Sequence, residues 1–212
     1  MHADERERLE REIQELSRGG DVAGAVERAL QGYGQEILRL MTAMLHDTDR
    51  GRDAFGVFSE NLLRGLPGFR WESSFRTWAY RLARNACVQV LRAPALRREQ
   101  PMSLSAIPEQ PFAARSDTRP WQRTSVKERF RALRESLEPQ ERLLLSLRVD
   151  QRLSWEEVAR VMAEGEETPR AGELKRRAAA LRQQFQRVKE HLRTLAEREG
   201  LVPTDDSSAS HP

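Results

Sequence analysis

The chain has 212 residues, of which 38% are hydrophobic and 33% are charged, and no apolar stretch approaches the roughly 20 residues needed to span a bilayer. The charged N-terminus MHADERERLEREIQEL lacks the apolar core of a secretory signal, and Cys87 is the single cysteine, which leaves no disulfide framework or cysteine-based zinc cluster. These features argue against a membrane or secreted protein and favour a helix-rich protein of the reducing cytoplasm.

The net charge of +3 is unevenly distributed along the chain. Residues 1–60 carry a net charge of −5, whereas residues 64–92 carry +5 and residues 169–193 carry +6. A segment rich in Lys and Arg is the electrostatic footprint of a polyanionic partner. Two separate basic segments therefore predict two contacts with nucleic acid, one in each half of the chain.

A run of helices is predicted over residues 22–92, after a charged N-terminal extension over residues 1–21. VERALQGYGQEILRLMTAML has apolar residues at helical spacing as far as Leu45, and HDTDRGRD then breaks the pattern. AFGVFSENLLRGL resumes the pattern and ends near Pro67–Gly68. FRWESS forms a short polar loop, and FRTWAYRLARNACVQVLR forms the last helix of this domain.

Residues 93–125 are predicted to be an extended linker, because five prolines at this density prevent regular helix. The linker is followed by a second helical domain over residues 126–199, and residues 200–212 are expected to be a disordered tail. No strand-like alternation of useful length is present. The predicted fold class is therefore all-α, with two small helical domains joined by a flexible linker.

The second domain carries several helix-start signals. Pro139 suits the first turn of one helix. Ser154 and Glu157 have the spacing of a capping box, in which the hydroxyl caps the helix start and the carboxylate reaches back. Thr168–Pro169 has the character of an N-cap and first helical residue. Helices are therefore expected from about Val126 to Glu199, with starts at these three positions.

The helix FRTWAYRLARNACVQVLR separates into two faces when its residues are placed at about 100° intervals. The core face carries the apolar residues Phe75, Ala79, Leu82, Ala83, Ala86 and Val90. The opposite half carries Arg76, Thr77, Tyr80, Arg81, Arg84, Asn85 and Arg92, with Trp78 at the border and Phe69, Arg70 and Trp71 just upstream. Flat side chains beside a cationic groove are typical of single-stranded nucleic-acid sites. The alternative is an amphipathic helix with a solvated basic side.

A second basic helix is predicted from Leu174 onward. Its apolar stripe consists of Leu181, Phe185, Val188, Leu192 and Leu195. One polar face, about a third of a turn away, carries Arg182, Gln186, Lys189 and Arg193, and Gln183 and Gln184 lie on the other sides of the helix. A short capped helix followed by such a helix is the outline of a helix-turn-helix, whose second helix enters the major groove. Arg and Gln side chains read guanine and adenine edges bidentately. A solvated amphipathic helix or a coiled-coil arm is the alternative.

Taken in order, these segments resemble the sigma-70 family of transcription factors, and specifically its small extracytoplasmic-function (ECF) group. FRTWAYRLARNACVQVLR looks like the promoter-melting segment of the family, whose usual form is FRTWLYRIARN followed by a D-x-x-R ending. SLEPQERLLLSLRVDQRLSWEEVARVMA resembles the start of the family's C-terminal domain, and LRQQFQRVKEHLR resembles its recognition helix. The resemblance covers roughly residues 22–92 and 126–195. It implies a region 2-like domain followed by a region 4-like helix-turn-helix domain.

The resemblance implies a transcription initiation factor rather than an enzyme. Such a factor binds core RNA polymerase through the clamp coiled coil and the flap, directs the polymerase to specific promoters and melts the −10 region. The implied partners are core RNA polymerase and promoter DNA, and the family often has an anti-sigma factor as well. No cofactor, no metal and no membrane partner is implied.

The helix faces and the resemblance together assign three sets of site residues. Single-stranded −10 DNA is expected to contact Phe69, Arg70, Trp71, Arg76, Trp78, Tyr80, Arg81, Arg84, Asn85 and Arg92. Duplex −35 DNA is expected to contact Arg182, Gln183, Gln184, Gln186, Arg187 and Lys189. Core RNA polymerase is expected to contact Asp53, Phe55, Phe58 and Leu62.

The chain departs from the family pattern in three places. In the polymerase-docking helix, Gly56 and Ser59 stand where the family usually has Gln and Phe, and Gln89 replaces the usual Asp of the melting helix. The turn before the recognition helix is also expanded. The apolar stripe there predicts one long helix from Pro169 to about Arg198, roughly 45 Å in length.

Three other functions compete with this interpretation. A stand-alone helix-turn-helix regulator would bind duplex DNA without polymerase, and a helical partner protein would sequester another factor. An enzyme such as a nuclease is disfavoured, because the histidines His2, His46, His191 and His211 are scattered and no carboxylate cluster has metal-ligand spacing. Cys87 is either a redox sensor or an inert helical cysteine, and the second alternative is favoured.

Overall fold

The computed structural model describes residues 3–92, 120–163 and 171–202. Within these ranges the secondary structure is helical with no strand, which confirms the all-α fold class. The α-helices are α1 (Ala3–Arg18), α2 (Val22–Leu45), α3 (Thr48–Gly65), α4 (Phe75–Arg92), α5 (Pro120–Glu135), α6 (Pro139–Leu145), α7 (Trp155–Met162) and α8 (Ala171–Arg198). A 3₁₀ turn, Leu66–Gly68, follows α3, and a π-helical turn, Ser146–Asp150, follows α6. No described helix is long and apolar enough to cross a membrane.

Helices α1 to α4 pack together, and α2 contacts each of the other three. Their core contains the fully buried side chains Ile13, Tyr33, Ile37, Leu40, Met41, Phe58, Leu62 and Phe75. The segment expected only as a charged extension forms α1, which buries Leu9 and Ile13 against the bundle. Residues at i and i+4 lie on one side of a helix, so these two positions give α1 its apolar stripe.

The sequence-based boundaries hold for α4 and for the end of α2, whereas α2 begins at Val22, four residues before the quoted pattern, and the start of α3 also differs. The end of α2 at Leu45 and the range Phe75–Arg92 for α4 are confirmed. HDTDRGRD was expected to interrupt the helices, but α3 begins at Thr48, within that stretch. Asp47 caps α3 by accepting hydrogen bonds from the amides of Asp49 and Arg50 at 2.8 and 3.1 Å. The break is therefore limited to His46 and Asp47.

Gly51 allows α2 and α3 to approach closely. A Cβ atom at this position would lie 2.6 Å from Thr42 Oγ1. Gly51, which belongs to the stretch expected to break the helical pattern, is therefore a packing residue inside a helix.

The helix-start signals of the C-terminal half are confirmed where the structure describes them. The Glu157 amide donates to Ser154 Oγ at 3.3 Å, and the Ser154 amide donates to Glu157 Oε2 at 2.7 Å, which closes the capping box. Pro139 is the first residue of α6. Helix α5 begins at Pro120 and not near residue 126, because proline is tolerated at the first helical position.

Helix α8 is continuous over 28 residues, or about 42 Å, which confirms the prediction of a long helix. Its expected start at Thr168–Pro169 lies outside the described residues. Most of the predicted linker, residues 93–119, and the end of the predicted tail, residues 203–212, also lie outside them.

Helix α4 lies between two layers. On one side it contacts α2 and α3, and on the other it contacts α7. The buried cluster that contains Phe75 and Tyr80 continues into Leu147, Leu153 and Val158 of the C-terminal half. The N-terminal and C-terminal helices therefore share one continuous apolar cluster in this structure.

Candidate nucleic-acid interface

Four aromatic side chains, Phe69, Trp71, Phe75 and Trp78, gather at the start of α4 and are called the aromatic cluster below. The Phe69 and Trp78 rings are stacked, with centroids 4.5 Å apart and an interplanar angle of 16°. Trp71 lies 4.9 Å from Phe69, and Phe75 meets Trp78 edge-on at 5.7 Å. Phe75 is buried, whereas the other three rings are partly exposed. The cluster therefore presents partly exposed aromatic surface on a buried support.

Backbone geometry gives the cluster its shape. Trp71 has φ 59°, in the left-handed region that bulky residues rarely adopt. This turn places the Trp71 ring beside Phe69. A Cβ atom at Gly65 would lie 3.1 Å from Trp78 Cζ2, so the glycine allows the indole to pack against the end of α3. Unusual φ values of this kind are found disproportionately at functional sites.

The first turn of α4 is capped by a carboxylate from α1. Glu10 accepts the Phe75 amide at 2.6 Å through Oε2 and the Arg76 amide at 2.8 Å through Oε1. Glu10 Oε1 also accepts the Tyr33 hydroxyl at 3.1 Å. The next amide, that of Thr77, donates to Ser74 Oγ at 3.1 Å. The three amides at the start of α4 are thus all satisfied, two of them by a residue that the sequence analysis did not single out.

Five polar residues of the predicted single-strand set differ in exposure. Arg70, Asn85 and Arg92 are exposed, and Arg81 and Arg84 are half-buried. Arg84 Nη1 lies 3.5 Å from the main-chain oxygen of Ala163, at the edge of the contact with α7. These side chains carry four positive charges, which are spread from the loop before α4 to its last residue, about 21 Å beyond Trp78 along the helix. The alternative of a fully solvated basic side does not hold for the whole of α4.

Arg76 and Tyr80 were expected on the exposed face of α4, and the structure corrects that expectation. Their exposed fractions are only 5% and 0%. Arg76 Nε donates to Glu36 at 3.0 Å, and Arg76 Nη2 donates to Gln151 Oε1 at 3.0 Å. The Tyr80 hydroxyl donates to the same Gln151 oxygen at 2.8 Å. A helical wheel could not reveal this, because the covering residues come from the other half of the chain.

Burial has a clear electrostatic effect at this contact. Burial, reinforced by the negative charge of Glu36, raises the pKa of the Tyr80 phenol above its ordinary value. For Arg76, burial opposes the charged form, but Tyr80 and Glu36 outweigh it and raise the pKa. Tyr80 is therefore neutral and Arg76 is cationic throughout the ordinary pH range.

Helix α8 presents the second predicted surface. Arg182, Gln183, Gln186, Arg187 and Lys189 are exposed, and Gln184 is half-buried. On the opposite side of α8, Val188 is fully buried and Phe185 meets the Trp155 ring of α7 edge-on at 5.4 Å. The Arg182 guanidinium lies 5.9 Å from the centre of the Trp155 ring. Helical spacing places Arg182, Gln186 and Lys189 on one exposed side of α8, with Gln183 and Arg187 exposed further round the helix and Gln184 half-buried.

The predicted polymerase-contacting residues are divided between surface and core. Asp53 is exposed, but Phe55, Phe58 and Leu62 are buried in the core of the N-terminal helices. These three side chains are packed inside and cannot offer a surface to a partner, which corrects the expectation for them. The outer side of α3 carries Asp53 and Leu63 instead, both of them exposed.

No group of His, Cys, Asp or Glu side chains within the described ranges has an arrangement that could hold a metal ion. Cys87 is buried on α4, and burial raises the pKa of its thiol to about 12. A reactive cysteine needs an accessible thiolate, so this environment does not suit a redox sensor.

Part of the chain is similar to a known protein family. Residues 30–98 match the family model for Sigma-70 region 2. Within the described residues, this range contains most of α2, all of α3 and α4, and the aromatic cluster. The match supports a sigma-70 family factor with a role in transcription initiation. No curated protein matches the chain at a significant level.

Proposed function

We propose that this protein is a cytoplasmic transcription initiation factor of the ECF group that binds core RNA polymerase, directs it to specific promoters and melts the −10 region. The observation that carries the proposal is the position of the aromatic cluster. It lies inside the segment that matches Sigma-70 region 2, and residues 64–92 around it carry six arginines against a single acidic residue, Glu72. Helix α8, outside the matched segment, adds a second basic surface.

In this proposal, the aromatic cluster captures unstacked bases at the −10 region. Phe69, Trp71 and Trp78 offer partly exposed rings, and stacking of a base on an aromatic side chain contributes roughly 1–3 kcal/mol. Flipping a base out of the duplex costs a few kcal/mol. Two or three captured bases, with phosphate contacts from Arg70 and Arg92, therefore offset the local unpairing cost without ATP.

Arg76 and Tyr80 are not accessible to DNA while the C-terminal helices pack on α4. Both are hydrogen-bonded to Gln151, so they reach DNA only after the C-terminal helices move away from α4. Promoter geometry favours such a movement. The −10 and −35 elements, about 25 base pairs apart, are separated by roughly 85 Å along duplex DNA. Helix α8 is only about 42 Å long and packs on the same apolar cluster as α4, so the two DNA-binding surfaces are too close together to reach both elements at once.

The exposed side of α8 is proposed to read the −35 duplex. The major groove is about 12 Å wide and admits an α-helix. Arg182 and Arg187 have the chemistry to contact guanine edges or phosphates, and Gln183 and Gln186 have the chemistry to contact adenine edges. The connection between α7 and α8, residues 164–170, lies outside the described residues.

Polymerase binding is proposed to use the outer side of α3, with Asp53 facing the clamp coiled coil, and the C-terminal helices facing the flap. Asp53 is exposed and belongs to the region 2 match. An anti-sigma factor is a further partner in this proposal, and no metal, cofactor or enzymatic step is part of it.

A stand-alone helix-turn-helix regulator is the second candidate function, and one observation favours it. Arg76 and Tyr80 are buried, whereas the α8 surface is exposed as it stands. A regulator that binds only duplex DNA would need α7 and α8 and would have no use for the exposed aromatic rings.

Reconstituted transcription distinguishes the two candidates. The full chain is added to bacterial core RNA polymerase with a pool of genomic promoter fragments, and the 5′ ends of the transcripts are sequenced, with core polymerase alone as the control. Discrete new start sites that share −35 and −10 motifs are expected. Absence of polymerase association and of new starts, with duplex DNA still bound, would contradict the proposal and favour the regulator.

A further inference from the structure

We infer that Glu10 is a positioning residue for nucleic-acid binding, because it holds the first turn of α4 and the aromatic cluster in the geometry that accepts unstacked bases. The inference rests on the proposed function, since it concerns the same surface. Glu10 belongs to α1 and precedes residues 30–98, so the segment matched by Sigma-70 region 2 does not contain it.

The contacts of Glu10 join three helices at one carboxylate. It accepts the Phe75 and Arg76 amides of α4 at 2.6 and 2.8 Å, and the Tyr33 hydroxyl of α2 at 3.1 Å. Hydrogen bonds to an ionised acceptor are roughly twice as strong as neutral ones. A carboxylate at a helix N-terminus is also favoured by the helix dipole. The start of α4 is thus fixed by a side chain that lies 65 residues away along the chain.

The residue that Glu10 fixes is the buried support of the aromatic cluster. Phe75 meets Trp78 at 5.7 Å and Trp71 at 6.4 Å, and its ring stacks on Tyr33 at 6.0 Å. Glu10 holds the Phe75 backbone and the Tyr33 hydroxyl, so it fixes both members of this stacked pair. Loss of the carboxylate would leave Phe75 free to shift, and the exposed rings would shift with it.

Removing the negative charge of Glu10 has opposite expected effects on nucleic-acid affinity, depending on whether Glu10 acts through its charge or by positioning α4. A carboxylate beside a cationic surface repels nucleic acid, so its neutralisation alone would strengthen binding. Loss of the geometry of the exposed rings would weaken base stacking and leave the phosphate contacts in place. The sign of the change in affinity therefore separates the two effects.

The test compares the full-length wild-type chain with Glu10→Gln and Glu7→Gln. Glu7 is exposed one turn earlier on α1, so its substitution removes the same charge while the Phe75 and Arg76 amides keep Glu10 as their acceptor. The probe is a fluorescein-labelled random-sequence single-stranded DNA 12-mer, titrated by anisotropy at several salt concentrations. Hydrogen exchange of residues 69–80 is followed in parallel.

We expect Glu10→Gln to bind about tenfold more weakly, with faster exchange at residues 75–78 and an unchanged slope of log affinity against log salt. Glu7→Gln should bind within about twofold of the wild type, or slightly more tightly. If Glu10→Gln does not fold, Tyr33→Phe provides the test, because it removes one of the three hydrogen bonds and keeps the ring. We expect it to weaken binding about threefold.

Two outcomes overturn the inference and are distinguishable. If Glu10→Gln exchanges faster at residues 75–78 yet binds the 12-mer as tightly as the wild type or more tightly, Glu10 is a structural cap only. If the wild-type chain itself does not bind the 12-mer, with or without core polymerase, the proposed function fails and this inference fails with it.

Discussion

Arg76 and Gln151 are joined by two hydrogen bonds across the contact between α4 and the C-terminal helices. Arg76 Nη1 donates to the Gln151 main-chain oxygen at 3.2 Å, and Nη2 donates to Gln151 Oε1 at 3.0 Å. The Tyr80 hydroxyl shares the same Oε1 acceptor at 2.8 Å. One glutamine therefore satisfies polar atoms of two buried side chains, and Gln151 is the polar centre of this contact.

Replacing Gln151 with Leu is expected to loosen the contact between the two halves. The substitution removes the Gln151 Oε1 acceptor that Arg76 Nη2 and the Tyr80 hydroxyl share, although Arg76 keeps Glu36 and the Tyr80 oxygen as acceptors. A buried donor left unpaired, here the Tyr80 hydroxyl, costs about 1–3 kcal/mol. We expect faster hydrogen exchange in the middle of α4 and in α7, with α2 and α3 still protected. Gln140→Leu, at an exposed position on α6, is the matched control. Equal protection of α4 in both variants would contradict the central role of Gln151.

The contact also explains what the sequence could and could not predict about α4. Apolar periodicity correctly gave its range and the burial of Phe75 and Ala79. The same periodicity assigned Arg76 and Tyr80 to the exposed side, because their partner lies more than 70 residues further along the chain. A helical period identifies an apolar side and carries no information about a polar side that is covered by distant polar partners.

Helix caps could likewise be predicted from the sequence only where both partners are close along the chain. The Ser154–Glu157 box could be predicted because both partners lie within four residues, and the structure contains it. The Glu10 cap of α4 could not be predicted, because its acceptor belongs to another helix. The spacing of Leu9 and Ile13 was the available signal that α1 packs into the bundle. Local motifs thus predict local contacts, whereas tertiary capping requires the fold.

Trp78→Ala is expected to lower open-complex formation about tenfold while core polymerase binding stays nearly intact. Trp78 stacks on Phe69 at 4.5 Å and is partly exposed, and loss of one base-stacking ring corresponds to roughly 1–3 kcal/mol. Arg84→Glu should act in the same direction by repelling phosphates. Permanganate reactivity of the −10 region measures both effects. Leu91→Ala, at an exposed position of the same helix, is the control. Unchanged reactivity in the Trp78 and Arg84 variants would disprove the assignment.

On α3, Phe58→Ala is expected to lower the stability of the fold, whereas Asp53→Lys is expected to weaken polymerase binding. Phe58 is 1% exposed, so its truncation should cost about 3–5 kcal/mol of unfolding free energy and lower the Tm. Asp53 is exposed, so its charge reversal should leave the Tm nearly unchanged and weaken association with core polymerase. Thermal unfolding and a binding titration with core polymerase give the two readouts. If Asp53→Lys binds core polymerase like the wild type, the docking surface does not include this residue.

Arg187→Ala is expected to weaken duplex DNA binding and to reduce the salt dependence of that binding. Each phosphate contact contributes about 0.9 to the slope of log affinity against log salt, so loss of one contact should lower the slope by about one. Arg187 is exposed within α8, 11 residues before the helix ends, whereas Arg198 is exposed at its last residue. Arg198→Ala removes the same charge and serves as the control. A similar loss in both variants would indicate general charge attraction and not a located contact.

Cys87 is expected to remain unreactive until the protein unfolds. The thiol is fully buried, and burial raises its pKa from 9.0 to about 12, so the thiolate fraction at about pH 8 is on the order of one in ten thousand. Because the pKa is raised in the folded state, this group favours folding below pH 9.0, and that contribution declines as pH rises towards 12. Reaction with a chromogenic disulfide reagent, with and without guanidinium chloride, tests the first expectation. Rapid labelling of the folded chain would instead support a redox role.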